Sequence, residues 1–233
     1  MLKPTTHTKS GARGYTDQNF AKLQQILLLK YLGLSLNDIR EITIGSGDRQ
    51  MLLNSLQIQK RLSNTLDKYF IVRIAWVFGV NGSNFIKTML KVGATHDEVK
   101  VVDDQIGTPT YTFDLAKLLI DMIETDKYGY YHATNAELPA TESGYDENGT
   151  KTGYISWYDF TKEIYRQAGY KTKVTPVTTE EYGLSKAVRP FNSRFDKSKL
   201  EENGFKPLPV WPDAVKRYLE ILKKQGFFDE LGK

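Results

Sequence analysis

The stretch FIVRIAWVF, Phe70 to Phe78, is almost continuously apolar and rich in β-forming side chains. A strand with one wet face alternates polar and apolar residues. One that is apolar throughout is covered on both faces, as in a parallel sheet flanked by helices. The chain after it keeps a strand–helix rhythm. Gly79–Ser83 reads as a turn and Asn84–Val92 as a helix. Val99–Val102 reads as a second strand. Thr112 can cap a helix from Phe113 to Glu124, where Leu115, Leu118, Leu119, Met122 and Ile123 make a broad apolar face. Tyr128–Ala133 is a third strand. This alternation predicts an α/β fold.

Further on, residues 136–153 are polar and Gly-rich, the composition of a surface insertion. Ser156-Trp-Tyr-Asp159 is a capping box. The serine hydroxyl and the aspartate carboxylate each satisfy a backbone N–H at a helix start. It opens a helix with Trp157, Phe160, Ile164 and Ala168 inward, stopped by Gly169. Val174 and Val177 suggest a short strand. Pro212 suits the first turn of a final helix with Val215, Tyr218, Leu219 and Leu222 on one face.

Before Phe70 the pattern is helical. Residues 1–16 read as a flexible tail. Phe20, Leu23 and Ile26 or Leu27 follow helical spacing up to Gly33. Ser35-Leu-Asn-Asp38 is another capping box, and Gly45-Ser-Gly47 is a break. Asp48 can cap a longer helix to about Lys68, with Leu52, Leu56, Leu62 and Leu66 along one side. The expected organisation is a tail (1–16), a helical segment (17–67) and an α/β part (68–233).

The chain's 233 residues suit one large domain or two small ones. With 40% apolar and 26% charged residues, the composition is globular. There is no cysteine, which excludes disulfides, thiolate metal sites and cysteine nucleophiles. His7, His96 and His132 are too dispersed to suggest a zinc site. No apolar run approaches the roughly 20 residues needed to span a bilayer. With no signal-peptide core, a soluble cytoplasmic protein is expected. The net charge of +4 is unevenly placed. Residues 1–67 hold nine Lys/Arg against five Asp/Glu, while residues 68–233 hold 23 of each. Such asymmetry suggests two parts with different origins or partners.

Eight stretches occur in a telling order: RIAWVFG (73–79), SNFIKTML (83–90), VVDDQIGTPTYTFDLA (101–116), YHATN (131–135), SWYDFTKEIYRQAG (156–169), VTPVTTEEY (174–182), RPFNSRFDKSKL (189–200) and WPDAVKRYL (211–219). Through them residues 68–224 resemble the C-terminal half of the dTDP-4-dehydrorhamnose reductase family of extended short-chain dehydrogenases. The resemblance implies the C-terminal portion of a Rossmann-like fold, here preceded by an α-helical segment. It also implies NADPH-dependent reduction of a dTDP-4-keto-6-deoxy sugar to dTDP-rhamnose. The family's Gly-rich cofactor loop and catalytic Tyr-x-x-x-Lys belong upstream of the Phe70 strand.

Neither device has a convincing counterpart. No Gly-x-x-Gly-x-x-Gly follows a strand; Gly11-Ala-Arg-Gly14 falls in the tail. Tyr158/Lys162 and Tyr182/Lys186 fit Tyr-x-x-x-Lys, but a chain with 14 Tyr is expected to show the pattern about once or twice by chance. Tyr158 also lies on the wrong helix. No catalytic residue is therefore assigned, and the chain alone is expected to be inactive.

The resemblance leaves a substrate side. Trp76 offers an aromatic face to a sugar or nucleotide ring, set against an ordinary core role in a buried strand. Asn84 and Phe85 open a helix, where phosphates bind, or are an ordinary helix start. Gln105, Gly107, Pro109 and Thr110 form a loop after a strand end, where ligands gather, or simply a tight β–α turn. Arg189 suits bidentate pairing with the dTDP phosphates, or is a solvated surface arginine. Asp103 and Asp104 point to opposite faces of an extended segment, which disfavours shared acid–base work. Arg73 inside an apolar strand needs a partner. His132 reads as packing at a strand end.

Residues 15–67 carry a second resemblance. YTDQNFAKLQQILLLKYLGLSLNDIREI (15–42) and the long helix at 49–67 resemble MerR-type transcription regulators. The recognition helix and wing of that family precede this stretch. Only Lys3, Lys9, Arg13 and polar neighbours stand there, so DNA binding is not expected. The alternative function is a regulator fragment fused to a sugar-nucleotide-binding module. A chimeric reading frame joined near residues 60–69 would produce the same two patterns. An uncovered edge at the Phe70 strand would favour a homodimer.

Overall fold

A computed structural model describes residues 49–183 and 189–232, with the short strands Thr6–His7 and Arg13–Gly14. The chain divides into two compact units, residues 1–69 and 70–233. In the first, β1 (Thr6–His7) and β2 (Arg13–Gly14) pair antiparallel, within the stretch read as a flexible tail. Helix α1 spans Arg49–Thr65, where Asp48 was expected to open one. The helices expected between 17 and 43, the capping box at Ser35–Asp38 and most of the MerR-like stretch lie outside the described residues.

The second unit is built on parallel ladders. β3 (Phe70–Arg73) pairs with β8 (Gly129–His132), and β4 (Val77–Phe78) with β7 (Thr110–Tyr111). β5 (Glu98–Val102) pairs with β10 (Lys173–Val177). β6 (Ile106–Gly107) lies parallel to β11 (Asn192–Ser193) and antiparallel to β9 (Ile155–Ser156). The main helices are α2 (Phe85–Thr95), α3 (Thr112–Ile123), α4 (Trp157–Ala168) and α7 (Trp211–Lys224). Short helices α5 (Thr179–Tyr182) and α6 (Ser198–Glu202) fall between α4 and α7. This is the expected α/β class.

The Phe70 stretch is not covered on both faces, since Ile74 is 36% and Val77 44% exposed. Two further local expectations need correction. The single strand from Phe70 to Phe78 is broken, because Trp76 has φ +50°. Left-handed backbone cannot continue a strand. The two halves therefore join different partners, β8 and β7. The second correction concerns Thr112, which does not cap α3. The helix starts at Thr112 itself, and Tyr111 at the cap position makes no side-chain cap bond. Asn135 decides that entry, its Oδ1 accepting from Tyr111 N at 2.7 Å.

Elsewhere the local chemistry holds. Ser156 and Asp159 form the reciprocal capping box, and Gly169 ends α4 at φ +72°. Pro212 sits in the first turn of α7. The insertion is folded back on itself by bridges between Leu138 and Gly153 and between Tyr145 and Lys151. It is tied to α4 where Thr150 Oγ1 donates to the buried Glu163 at 3.0 Å.

The core has two parts. One is aromatic: Phe78, Tyr111, Phe160, Trp211 and Tyr218 pack with Ile86, Leu90, Ile155 and Ile164. The other gathers Leu115, Leu118, Met122, Tyr131, Leu200, Phe205 and Leu208. Helices α2 and α4 meet closely at Gly93. A β-carbon there would lie 2.6 Å from Tyr170 Cδ2 and 2.8 Å from Tyr165 Oη. Gly93→Ala gains about 1 kcal/mol of helix propensity but meets overpacking worth about 1–3 kcal/mol. Tyr165 Oη also donates to Met89 O at 2.9 Å, so that ring does not yield freely. A net loss of about 1 kcal/mol is expected, read as a lower urea midpoint at unchanged m-value.

Burial pushes the Tyr165 phenol up to about 12. A phenol that binds its proton more tightly when folded contributes full stability below its unfolded pKa, about 10. That contribution drains away as pH rises from about 10 to about 12, at up to 1.4 kcal/mol per pH unit. Urea titrations across that window should show a steeper alkaline loss in the native chain than in Tyr165→Phe.

Candidate functional site

The small sheet β11–β6–β9 sets the site. It carries Gly107 in its central strand, and the last residue of β9, Ser156, leads directly into α4. A β-carbon on Gly107 would stand 3.2 Å from the Trp76 indole and 3.1 Å from Ser193 Cβ. The indole thus lies directly against the bare glycine backbone. Trp157, first residue of α4, stacks on it with centroids 3.8 Å apart and planes at 18°. Phe85, first residue of α2, leans on Trp157 at 4.5 Å and stacks with Phe160 at 5.8 Å. Of the residues singled out in the sequence, Trp76, Phe85 and Gly107 therefore share one aromatic platform. Trp157 belongs to it too, although the sequence marked it only as a core position.

The other predicted contacts, Arg189 apart, have polar groups engaged within the protein. Asn84 caps α2: its Oδ1 accepts from Lys87 N, and its Nδ2 donates to Gly79 O and Tyr218 Oη. It also lines a cavity of about 440 Å³ with Phe78, Tyr111, Phe113 and Ile221. Gln105 is buried, and its Nε2 donates to Thr179 Oγ1 at 3.0 Å. Pro109 O accepts from Asn135 N at 3.0 Å. Thr110 is a brace: its Oγ1 donates to Ala75 O at 2.7 Å and its N–H to Trp76 O at 3.2 Å. Arg189 is exposed on the surface ahead of β11.

Asp103 and Asp104 do diverge. Asp103 Oδ1 accepts from Ser156 Oγ at 2.5 Å, whereas Asp104 accepts from Thr179 N at 2.9 Å and Oγ1 at 2.6 Å. His132 packs on Phe195 with centroids 4.6 Å apart. The Arg73 guanidinium lies over the Tyr130 ring at 5.4 Å. Lys162 sits over the Tyr158 ring at 5.3 Å, a cation–π contact.

Two polar clusters had no sequence signal. Lys197 Nζ meets Glu137 Oε1 at 2.7 Å and Thr134 Oγ1 at 3.2 Å beside a cavity of about 280 Å³. Asp114 holds Arg217 in a bidentate pair. Their partners lie 60 or more residues apart in the chain, beyond any local pattern.

The turn between β4 and α2 has glycines at 79 and 82, but Phe85 stands where a third would fall. Its Val80 and Gly82 carbonyls accept from Lys87 Nζ. Carbonyls gathered on an ammonium do not form the N–H cradle that a dinucleotide pyrophosphate needs. That turn is therefore not a pyrophosphate seat.

Parallel α/β ladders with helices between them are those of a Rossmann-like fold. The chain belongs to the RmlD substrate-binding domain family, whose model matches residues 55–224. It is 40% identical over 150 residues to the spore coat polysaccharide biosynthesis protein SpsK of Bacillus subtilis, covering 64% of this chain and 46% of that one. Over 171 residues it is 36% identical to the dTDP-4-dehydrorhamnose reductase of Aggregatibacter actinomycetemcomitans, covering 67% and 52%. The dTDP-4-dehydrorhamnose reductase of Bacillus anthracis, solved in complex with NADP, superimposes with a TM-score of 0.61 at 36% identity. That superposition covers 72% of this chain and 54% of that one. The chain spans about half the length of these relatives. The family match begins inside α1, upstream of the boundary expected at residue 68. Among the described residues, no helix is long and apolar enough to cross a membrane.

Proposed function

We propose that this chain is the substrate-side half of a dTDP-4-dehydrorhamnose reductase and binds a dTDP-linked 6-deoxy sugar. The observation that carries this reading is the family match over residues 55–224, which takes in Trp76, Phe85 and Gly107 where the fold brings them together. The full reaction, reduction of the 4-keto group by NADPH, also needs a dinucleotide seat and a proton donor, roles to which this reading assigns no residue of the chain. The chain alone therefore binds the nucleotide sugar without turning it over. The MerR-like reading of residues 15–67 gains nothing from the family match, which begins at residue 55.

Thermal unfolding with dTDP-rhamnose tests the proposal. Ligand at about 100 times its Kd adds about 2.7 kcal/mol, which raises Tm by several degrees. No shift at millimolar ligand overturns the binding claim. Steady NADPH oxidation with the 4-keto substrate overturns the claim of inactivity.

A further inference from the structure

Helix α3 is apolar on two sides. Its inner side faces the core, where Leu115, Leu118 and Met122 pack with Tyr131 and Leu200. A surface helix needs only one such stripe, and its other side is normally polar. On α3 the outer side carries Phe113, Ala116, Ile120 and Ile123, all exposed. The exposure is 54% for Phe113, 55% for Ile120 and 70% for Ile123, with Leu119 beside them at 36%. Single exposed apolar residues are ordinary, whereas a continuous row marks a contact surface.

The spacing indicates what the row meets. Positions 113, 116, 120 and 123 follow one another by three, four and three residues. This is the a/d rhythm with which one helix meets another along a seam. The row is also its own complement when reversed. Laid antiparallel on a second copy, Phe113 stands opposite that copy's Ile123, and Ala116 opposite its Ile120. Each alanine then receives a large side chain. A parallel pair would set alanine against alanine and leave a gap.

The charges agree with reversal. Lys117 lies beside the first half of the row, over the Phe113 ring at 4.5 Å, while Asp121 and Glu124 flank the second half. Antiparallel helices bring each lysine toward the acidic half of the other, and their dipoles oppose. A two-fold axis through the middle of the row generates this contact and closes it at two chains.

We infer that this protein dimerises through the outer stripe of α3, paired antiparallel with α3 of a second copy. One short helix pair is a small interface, so a dissociation constant on the order of 1–10 μM is expected. At about 100 μM, sedimentation equilibrium should give close to twice the monomer mass. Ile120→Glu puts a charge into a central layer and should weaken association at least about 100-fold, leaving a monomer. Ile120 is exposed in the single chain, so the urea midpoint of this variant should stay native. Ile123→Lys, at the most exposed position of the row, should give the same monomer and serves if Ile120→Glu fails to fold.

The chain has no cysteine, so a single introduced thiol reports orientation. Position 119 lies near the proposed axis, whereas position 112, on the same flank, lies about 18 Å along the helix from its own counterpart. A short bis-maleimide should therefore link copies of Leu119→Cys and not copies of Thr112→Cys. A native chain that stays monomeric at about 100 μM overturns the inference, and a different partner then covers the stripe. A dimer that survives both charged variants overturns it too, by placing the contact elsewhere, such as the β3 edge. Linking of Thr112→Cys as fast as Leu119→Cys marks a parallel pair and overturns the antiparallel arrangement.

Discussion

Asp114→Ala is expected to lower the melting temperature by about 6–12 °C. The Asp114 side chain is 2% exposed, yet carries a charge. Three donors make that tenable: Arg217 Nη1 at 2.8 Å, Arg217 Nη2 at 2.7 Å and Asn135 Nδ2 at 2.9 Å. The first of these partners is held well above the ordinary guanidinium pKa, chiefly by its hydrogen bonds to Asp114. Asn135 extends the network, accepting from Tyr111 N and donating to Pro209 O. One carboxylate thus ties the start of α3, the segment after β8 and helix α7 together. Breaking a buried pair typically costs about 3–5 kcal/mol. Arg217 is 31% exposed and keeps Asp213 at 2.8 Å, so the lower end, about 3 kcal/mol, applies. At about 2–4 °C per kcal/mol for a chain of this size, that gives the stated range. A melting temperature within 2 °C of the native value, on the order of a single surface pair, would show that the latch contributes little.

The second large effect is Phe160→Ala, expected to cost about 3–5 kcal/mol in urea unfolding. Phe160 is fully buried on α4. Its ring meets Trp211 edge-on at 5.8 Å, stacks with Phe85 at 5.8 Å and tilts toward Phe78 at 6.3 Å. Deleting it removes the apolar transfer energy and opens a cavity that rigid aromatic neighbours cannot close. Phe160→Leu keeps most of the volume, so about 1.5 kcal/mol or less is expected. Equal losses for the two variants would refute the cavity explanation. Phe160 also lies 6.3 Å from Trp76, so the alanine variant should weaken the proposed nucleotide-sugar binding along with stability.

The same residues show how far the sequence could be read. The capping box at Ser156 and the stop at Gly169 are local chemistry, and both are present. The apolar character of FIVRIAWVF correctly implied parallel pairing. Its break did not show, because no Gly or Pro marks Trp76; the left-handed turn is imposed by Thr110 and Gly107, some 30 residues away. Trp76, Phe85 and Gly107 were identifiable as site candidates from their places beside a strand end and a helix start. Asn84, Gln105 and Thr110 looked equally suitable, yet their polar atoms serve caps and braces. Whether a side chain is free for ligand depends on distant partners such as Tyr218 and Thr179, and no local pattern encodes these. The stack of Trp157 on Trp76 is hidden for the same reason.

The parallel ladders also govern when the second unit can fold. β3 waits for β8, Phe70 meeting Gly129, and β5 waits for β10, Glu98 meeting Lys173. Neither pair can close as a hairpin. Loop closure must precede any reward from pairing, which makes such topologies slow to form. The aromatic core is later still, since Trp211, Val215, Tyr218 and Leu222 of α7 complete it. During synthesis on the ribosome, Phe78 and Phe160 emerge long before the helix that shields them. Until α7 leaves the exit tunnel, the nascent chain carries an exposed aromatic surface, the kind that chaperones recognise.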